Sequence, residues 1–136
     1  MSPKKRGVRP VGESEARSYL KKAEDFYLTM TESFQNARWN SVGLAGVHCA
    51  ISATDAVLGL KARLRSAGES HHEAVELLRQ HVQDSNTAAQ AQRLSRILGA
   101  KNRVEYDSRD FRRDEAADMV KDVGRYLEWV KSFFPL

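Results

Sequence analysis

A seven-residue stretch near the end of the chain concentrates side chains that could do chemistry. Residues 101–107 read Lys-Asn-Arg-Val-Glu-Tyr-Asp, so that five side chains are ionisable, one is an amide and only Val104 is apolar. Amphipathic runs flank this stretch on both sides. Lysine and arginine groups bind phosphate oxygens, and a tyrosine ring can stack on a base or form a hydrogen bond. The candidate RNA- or nucleotide-binding residues here are Lys101, Asn102, Arg103 and Tyr106.

A second polar set lies inside a long apolar run. His48, Ser52 and Asp55 are spaced at i, i+4 and i+7, which places them on one face of a helix. A buried carboxylate needs a cation or several hydrogen bonds, because an unpaired buried charge is expensive. We expect Lys101 or Arg103 to be the partner of Asp55. The polar line is either an internal clamp that holds the helices together, or a pocket in which Asp55 orients a basic residue toward a ligand phosphate.

The four histidines and the single cysteine do not form a metal-binding pattern. His71 and His72 are adjacent, so on a helix they point about 100° apart and share a metal poorly. One cysteine excludes an intramolecular disulfide, and Cys49 lies in an apolar run where a small buried residue is expected. No metal or other cofactor is predicted. His48 and His72 remain candidates for the binding site.

Positive charge is concentrated at the N-terminus. The chain has 22 Lys and Arg against 18 Asp and Glu, a net charge of +4. Four of these basic residues and no acid fall within residues 1–12, so the remainder is formally neutral. We expect residues 1–12 to form a flexible basic tail, either simply solvated or acting as an arm that contacts RNA or DNA. Residues 13–136 are expected to form one domain.

Apolar residues recur at steps of three and four in five runs, and each run predicts a helix. The helices are expected near residues 14–37, 41–65, 70–82 and 87–99, with the last one beginning between Asp110 and Asp114. The second run is apolar nearly all round, which is typical of a central helix. No run alternates with period two, so no sheet is expected. The predicted fold is all-α, an antiparallel up-down helical bundle of four to five helices. With no uninterrupted apolar stretch of membrane-spanning length and no secretory signal, a cytoplasmic protein without membrane contact is expected.

The helix order and three short segments resemble the HEPN family (higher eukaryotes and prokaryotes nucleotide-binding). The resemblance covers roughly residues 14–134, and its segments are Asp55-Ala56-Val57-Leu58, His72-Glu73-Ala74 and Arg103-Val104-Glu105-Tyr106-Asp107. It implies an all-helical, usually homodimeric domain. Many members are metal-independent ribonucleases of toxin–antitoxin, CRISPR or phage-defence systems. In them an arginine holds the scissile phosphate, and a histidine four to six residues later acts on the ribose 2′-OH.

This sequence departs from the ribonuclease motif at its decisive histidine. No histidine follows His81, and in the Arg-Asn-x-x-x-His form Lys101 and Asn102 stand for Arg-Asn and Tyr106 stands for the histidine. Tyrosine, with an ordinary pKa of about 10, is a poor base at neutral pH. The chain is most similar to the subgroup with an Arg-x-x-(Asp/Glu)-Tyr element, whose members are often encoded beside nucleotidyltransferase-like partners.

These features favour a HEPN-like protein that binds RNA or nucleotide without efficient cleavage, in a toxin–antitoxin or defence setting. One alternative is a metal-independent ribonuclease with a degenerate site that uses His48 or His72. Another is a protein-interaction module that dimerises or binds a nucleotidyltransferase-like partner. For Arg103 and Tyr106 a structural role is also open, in which an ion pair and a buried ring anchor the stretch to the second helix.

Overall fold

The computed structural model describes residues 8–67 and 70–135. This part of the chain contains six helices and two short strands. In chain order they are β1 (Val8–Pro10), α1 (Glu13–Gln35), α2 (Trp39–Ala62), β2 (Leu64–Ser66), α3 (His71–His81), α4 (Thr87–Gly99), α5 (Lys101–Glu105) and α6 (Arg113–Lys131). The prediction of an all-α helical bundle is confirmed, with a two-stranded sheet added to it.

Helix α2 is the centre of the bundle and contacts each of the other five helices. Its length and apolar composition would suffice to cross a membrane, but 78% of its apolar window is buried inside the protein. Glycines let the neighbouring elements approach it closely. A Cβ added at Gly46 would lie 2.5 Å from Met119 Cγ of α6, and one at Gly43 would lie 2.7 Å from Val104 Cγ2 of α5. The small residues of α2 therefore fix how near α5 and α6 can pack.

Two expectations about the beginning of the domain are wrong. Strand β1 pairs antiparallel with β2, with Arg9 opposite Arg65, and Val11 is 4% exposed. Residues 8–12 thus belong to the folded domain and not to a flexible tail. The predicted absence of a sheet also fails, because three-residue strands are too short to show an alternating pattern. The remaining part of the predicted tail, residues 1–7, lies outside the described residues.

Helix α2 ends three residues earlier than the apolar pattern suggests. Arg63 adopts a left-handed conformation (φ 57°), and its N–H donates to Gly59 O over 3.2 Å. This is a common way to close a helix, although glycine usually takes the position. The chain then reverses, and Val11 N donates to Arg63 O over 2.9 Å. The turn directs β2, with Arg65, back along α2.

The stretch over residues 101–107 begins with a short helix, α5, and the segment between α5 and α6 is tied to the start of α2. Asn40 is the connecting residue: its Nδ2 donates to Asp110 Oδ1 over 3.1 Å, and its Oδ1 accepts from Phe111 N over 2.7 Å. Val104 packs against the core from α5. These contacts hold α5 beside α2, and α6 begins at Arg113, within the predicted range.

Candidate ligand-binding site

A cavity of about 550 Å³ opens between α2, β2, α3 and α5. Its polar lining comes from four elements of the fold. The polar and charged side chains most relevant to binding are Asp55 from α2, Arg65 from β2, His71 from α3, Lys101 and Asn102 from α5, and Tyr106 just after α5. This volume is in the range of small-molecule and cofactor pockets. We refer to it as the Asp55 cavity.

Asp55 is buried, with 8% of its surface exposed, and lines the cavity wall. Burial raises the pKa of its carboxyl to about 6, and the positive charge of Arg65 opposes that rise. Within the described residues its carboxylate has no hydrogen-bond donor or ion-pair partner. The expected pairing with Lys101 or Arg103 is therefore not found. Lys101 lines the same cavity, and the cation that acts on Asp55 is Arg65.

Arg65 and Lys101 give the cavity its positive charge. The Arg65 guanidinium lies 5.8 Å from the centre of the Tyr19 ring, and its Nη1 donates a long bond of 3.5 Å to Ser66 O. Neither contact neutralises it. Burial and the nearby charge of Lys101 lower the pKa of His71, which favours the neutral imidazole. Two cations and one carboxylate leave a site whose net charge suits an anion.

Arg103 lies outside the Asp55 cavity, on the side of α5 that faces α6. Its Nη1 donates to Glu115 Oε2 over 2.6 Å. The Arg109 guanidinium donates to both oxygens of Glu115, over 3.1 and 3.2 Å, and Arg112 N donates to Oε1 over 3.0 Å. The bond from Arg109 is the main reason that the pKa of Glu115 falls to about 2. Arg103 therefore belongs to a charge cluster that joins α5 to α6.

Neither of the two predicted site histidines, His48 and His72, lines the Asp55 cavity. His48 Nε2 lies 4.0 Å from Glu105 Oε1, and its ring is 5.6 Å from that of Phe26. His72 is exposed and has its backbone N–H bonded to Ser70 Oγ over 3.2 Å. The histidine that lines the cavity is His71. His71 and His72 are adjacent at the start of α3, and the direction in which each points from the helix decides which one reaches the cavity.

Tyr106 is 78% exposed at the cavity rim, so the expectation of a buried anchoring ring is wrong. Asn102, also a predicted site residue, lines the cavity beside Lys101. Three of the four residues predicted from the 101–107 stretch are thus brought together with Asp55. Sequence reasoning missed Arg65, because the pattern placed it at the end of the second helix.

Metal binding and thiol chemistry are two other kinds of site that these residue types allow. Across residues 8–67 and 70–135 no group of three or more His, Cys, Asp or Glu side chains is arranged to hold a metal ion. Burial raises the pKa of the Cys49 thiol to about 12, so the thiol stays protonated and unreactive.

Comparison with known proteins places this architecture in a family. The HEPN domain family model matches residues 16–133. The crystal structure of an archaeal HEPN homologue matches with a TM-score of 0.64 and 15% sequence identity, covering 87% of this chain and 96% of that one. At such identity the structural match speaks for the fold. No curated protein matches. The subgroup stays a prediction, since Arg103-Val104-Glu105-Tyr106 is one residue shorter than the Arg-x-x-(Asp/Glu)-Tyr element. The family-model match spans most of the chain, and on that basis the chain belongs to the HEPN domain family.

Proposed function

We propose that this HEPN domain binds a nucleotide, free or within single-stranded RNA, in the Asp55 cavity and does not cleave it efficiently. The observation that carries the proposal is the convergence of Lys101 and Arg65 on a ligand-sized cavity with an exposed aromatic ring at its rim. The toxin–antitoxin or defence setting, the cytoplasmic location and a nucleotidyltransferase-like partner follow from the family resemblance and belong to the same proposal.

The phosphate is the part of the ligand that the cations recognise. Lys101 is half-buried on α5 and Arg65 is half-buried on β2, and both side chains line the cavity. Charge-assisted hydrogen bonds to phosphate oxygens are about twice as strong as neutral ones. Because the cavity excludes part of the solvent, such bonds are screened less than on an open surface.

Tyr106 supplies the second contact. An exposed tyrosine ring beside a cationic cavity offers a stacking surface for a base, a contact worth about 1–3 kcal/mol per base. The Asn102 amide, with two donors and an acceptor, is placed to bind the ribose or the base edge. Both residues suit a nucleotide better than a simple inorganic anion.

Inefficient cleavage follows from the side chains that face the cavity. The expected ribonuclease histidine is replaced by Tyr106, and Arg103 is held by Glu115. A phenol is protonated at neutral pH and accepts a proton poorly. The cavity keeps one histidine, His71, without an arginine of the ribonuclease motif beside it.

The test is a titration of the protein into fluorescein-labelled single-stranded RNA at several salt concentrations, followed by anisotropy. Lys101→Ala should weaken binding about fivefold or more and reduce the salt dependence. Lys121→Ala is the matched control, because Lys121 is an exposed lysine of α6 away from the cavity. Equal losses in the two variants would show that net charge alone drives binding and would refute the site.

A second candidate function, self-association, rests on a separate groove between α1 and α6. Leu28 is 65% exposed there, beside Tyr27 and Leu127. Glu24, Glu128 and Lys131 line the same groove, so a two-fold contact can set each lysine against an acid of the other copy. Light scattering on wild type and Leu28→Glu tests it: a dimer that becomes monomeric supports the groove as the interface, and a monomeric wild type refutes it.

A further inference from the structure

The unusual group in the cavity is the Asp55 carboxylate. It is more than nine-tenths buried, it lines the cavity, and within the described residues it receives no hydrogen bond. Among the described residues the Asp55 oxygens are not fully enclosed, so they can be reached from the cavity, while burial limits their hydration. The positive charge of Arg65 partly offsets the effect of burial on the pKa of Asp55, but Arg65 donates no hydrogen bond to the carboxylate. A ligand that donates hydrogen bonds would satisfy the carboxylate oxygens.

Part of the cavity wall around Asp55 is apolar. Ile51 lies one turn before Asp55 on the same face of α2, and Ala74 of α3 and Leu98 of α4 add further apolar wall. Leu98 is 2% exposed and Asp55 is 8% exposed, whereas Tyr106 is exposed at the open rim. A base that enters between these apolar side chains presents its polar edge to the carboxylate.

The chemistry of a carboxylate then selects among bases. An ionised carboxylate has two oxygens that accept hydrogen bonds and no donor. Guanine places two donors side by side on one edge, N1–H and the 2-amino group. Adenine and cytosine place a single amino group next to a ring acceptor, and uracil places one N–H between two carbonyls. Only guanine meets both carboxylate oxygens without bringing an acceptor against them.

We propose that Asp55 makes this cavity selective for guanine nucleotides, by accepting the N1–H and 2-amino donors of the base while Lys101 and Arg65 bind the phosphate. This inference rests on the proposed nucleotide-binding function and adds a base preference to it. A ribose diol also offers two adjacent donors. However, it would carry the phosphate much closer to the carboxylate, where like charges repel.

The protonation state of Asp55 determines when it can accept both donors of the base. Burial raises its pKa to about 6, so the carboxyl is ionised at pH 7.5 and protonated at pH 5. The other titratable groups near it are Cys49 and Tyr126, whose pKa values are raised and which stay neutral, the cations Arg65 and Lys101, the phenol of Tyr106, and His71. Protonation of His71 in acid strengthens the binding of every nucleotide alike. The ratio of GMP to AMP affinity therefore reports on Asp55.

The experiment is calorimetric titration of the protein with GMP, IMP, AMP and dGMP at pH 7.5. IMP keeps N1–H but lacks the 2-amino group, and dGMP lacks the 2′-hydroxyl. Wild type should bind GMP about tenfold or more tightly than AMP, with IMP between them and dGMP equal to GMP. Asp55→Asn, which keeps the volume and shape of the side chain, should reduce the ratio of GMP to AMP affinity to near one.

Controls separate this inference from the binding function. Lys101→Ala should weaken GMP and AMP by the same factor and leave their ratio unchanged. Equal affinity of wild type for GMP and AMP would overturn the guanine assignment and leave nucleotide binding standing. A preference for ribose over deoxyribose with either base would assign Asp55 to the sugar, which also overturns it. If none of the four nucleotides binds, both the inference and the binding function fail.

Discussion

Arg103 Nη1 and Glu115 Oε2 lie 2.6 Å apart and join α5 to the first turn of α6. Glu115 also accepts a hydrogen bond from Arg112 N, so one carboxylate both caps α6 and binds α5 through Arg103. The arginine of the 101–107 stretch is therefore engaged in the scaffold, while Lys101, two residues earlier, lines the cavity. The fold divides neighbouring residues of one motif between stability and binding.

Arg103→Ala should mainly lower stability, whereas Lys101→Ala should mainly lower nucleotide affinity. Loss of the Arg103 contact, which is partly exposed, should lower the free energy of unfolding by about 1 kcal/mol and leave nucleotide affinity nearly unchanged. Lys101→Ala should lower affinity without lowering stability, because Lys101 forms no ion pair with the described residues. Urea denaturation and RNA titration of both variants measure the two effects. A larger affinity loss in Arg103→Ala than in Lys101→Ala would return Arg103 to the site.

Asp55→Asn should stabilise the protein at neutral pH. Burial raises the pKa of Asp55 in the folded state to about 6, above its value in the unfolded chain. The folded state then binds more protons than the unfolded state between about pH 4 and 6, so the stability contribution falls as pH rises through that window. The variant removes this penalty, which is at most about 2–3 kcal/mol at pH 7.5.

The same variant should show almost no stabilisation at pH 3, where Asp55 is mostly protonated in both states. Chemical denaturation of wild type and Asp55→Asn at the two pH values provides the measurement. A destabilised variant at pH 7.5 would mean that Asp55 is an internal clamp, the structural alternative to a ligand-binding role. If Asp55→Asn is more stable and has lost the guanine preference, the Asp55 carboxylate lowers stability but is needed for base selection.

Gly43→Ala should disturb the site indirectly, by displacing α5 from α2. The added Cβ would lie 2.7 Å from Val104 Cγ2 and 3.1 Å from the Phe111 ring, so α5 has to move away from α2. We expect a loss of about 1–3 kcal/mol in stability and weaker RNA binding, since α5 carries Lys101 and Asn102. Gly99→Ala is the matched control: nothing lies within 4 Å of its added Cβ, and helix propensity favours alanine. If Gly43→Ala binds and unfolds like wild type, α2 does not set the position of α5.

The helices could be predicted from the sequence because their signal is local. The stripe that contains Ala16, Ala23 and Met30 recurs at helical steps, and all three residues are buried in α1. The polar face with Asp55 was visible for the same reason. What the pattern could not supply is the left-handed turn at Arg63, since that conformation favours glycine and gives arginine no distinguishing mark.

That turn decides the composition of the site. If α2 continued to Arg65 as the pattern suggests, Arg65 would be part of the same helix as Asp55 and ten residues further along it. The reversal at Arg63 instead pairs Leu64–Ser66 with Val8–Pro10 and brings Arg65 to the cavity. The pairing joins residues more than fifty positions apart, and no local pattern encodes such a contact. Arg103 was misplaced for a related reason, because its partner Glu115 lies on a different helix.

His71 provides the last test, of whether any cleavage survives. Its lowered pKa keeps the imidazole neutral and able to accept a proton, and it lines the cavity with Lys101. In the 101–107 stretch, however, Lys101 stands for the arginine of active family members and Tyr106 for their histidine, so we expect little or no cleavage. Labelled total RNA incubated with the protein in EDTA should remain intact and migrate as a retarded band. Fragmentation that is abolished in His71→Ala and kept in His72→Ala would establish a rearranged ribonuclease centred on His71. The exposed His72 is the control, because it lies next in sequence and outside the cavity.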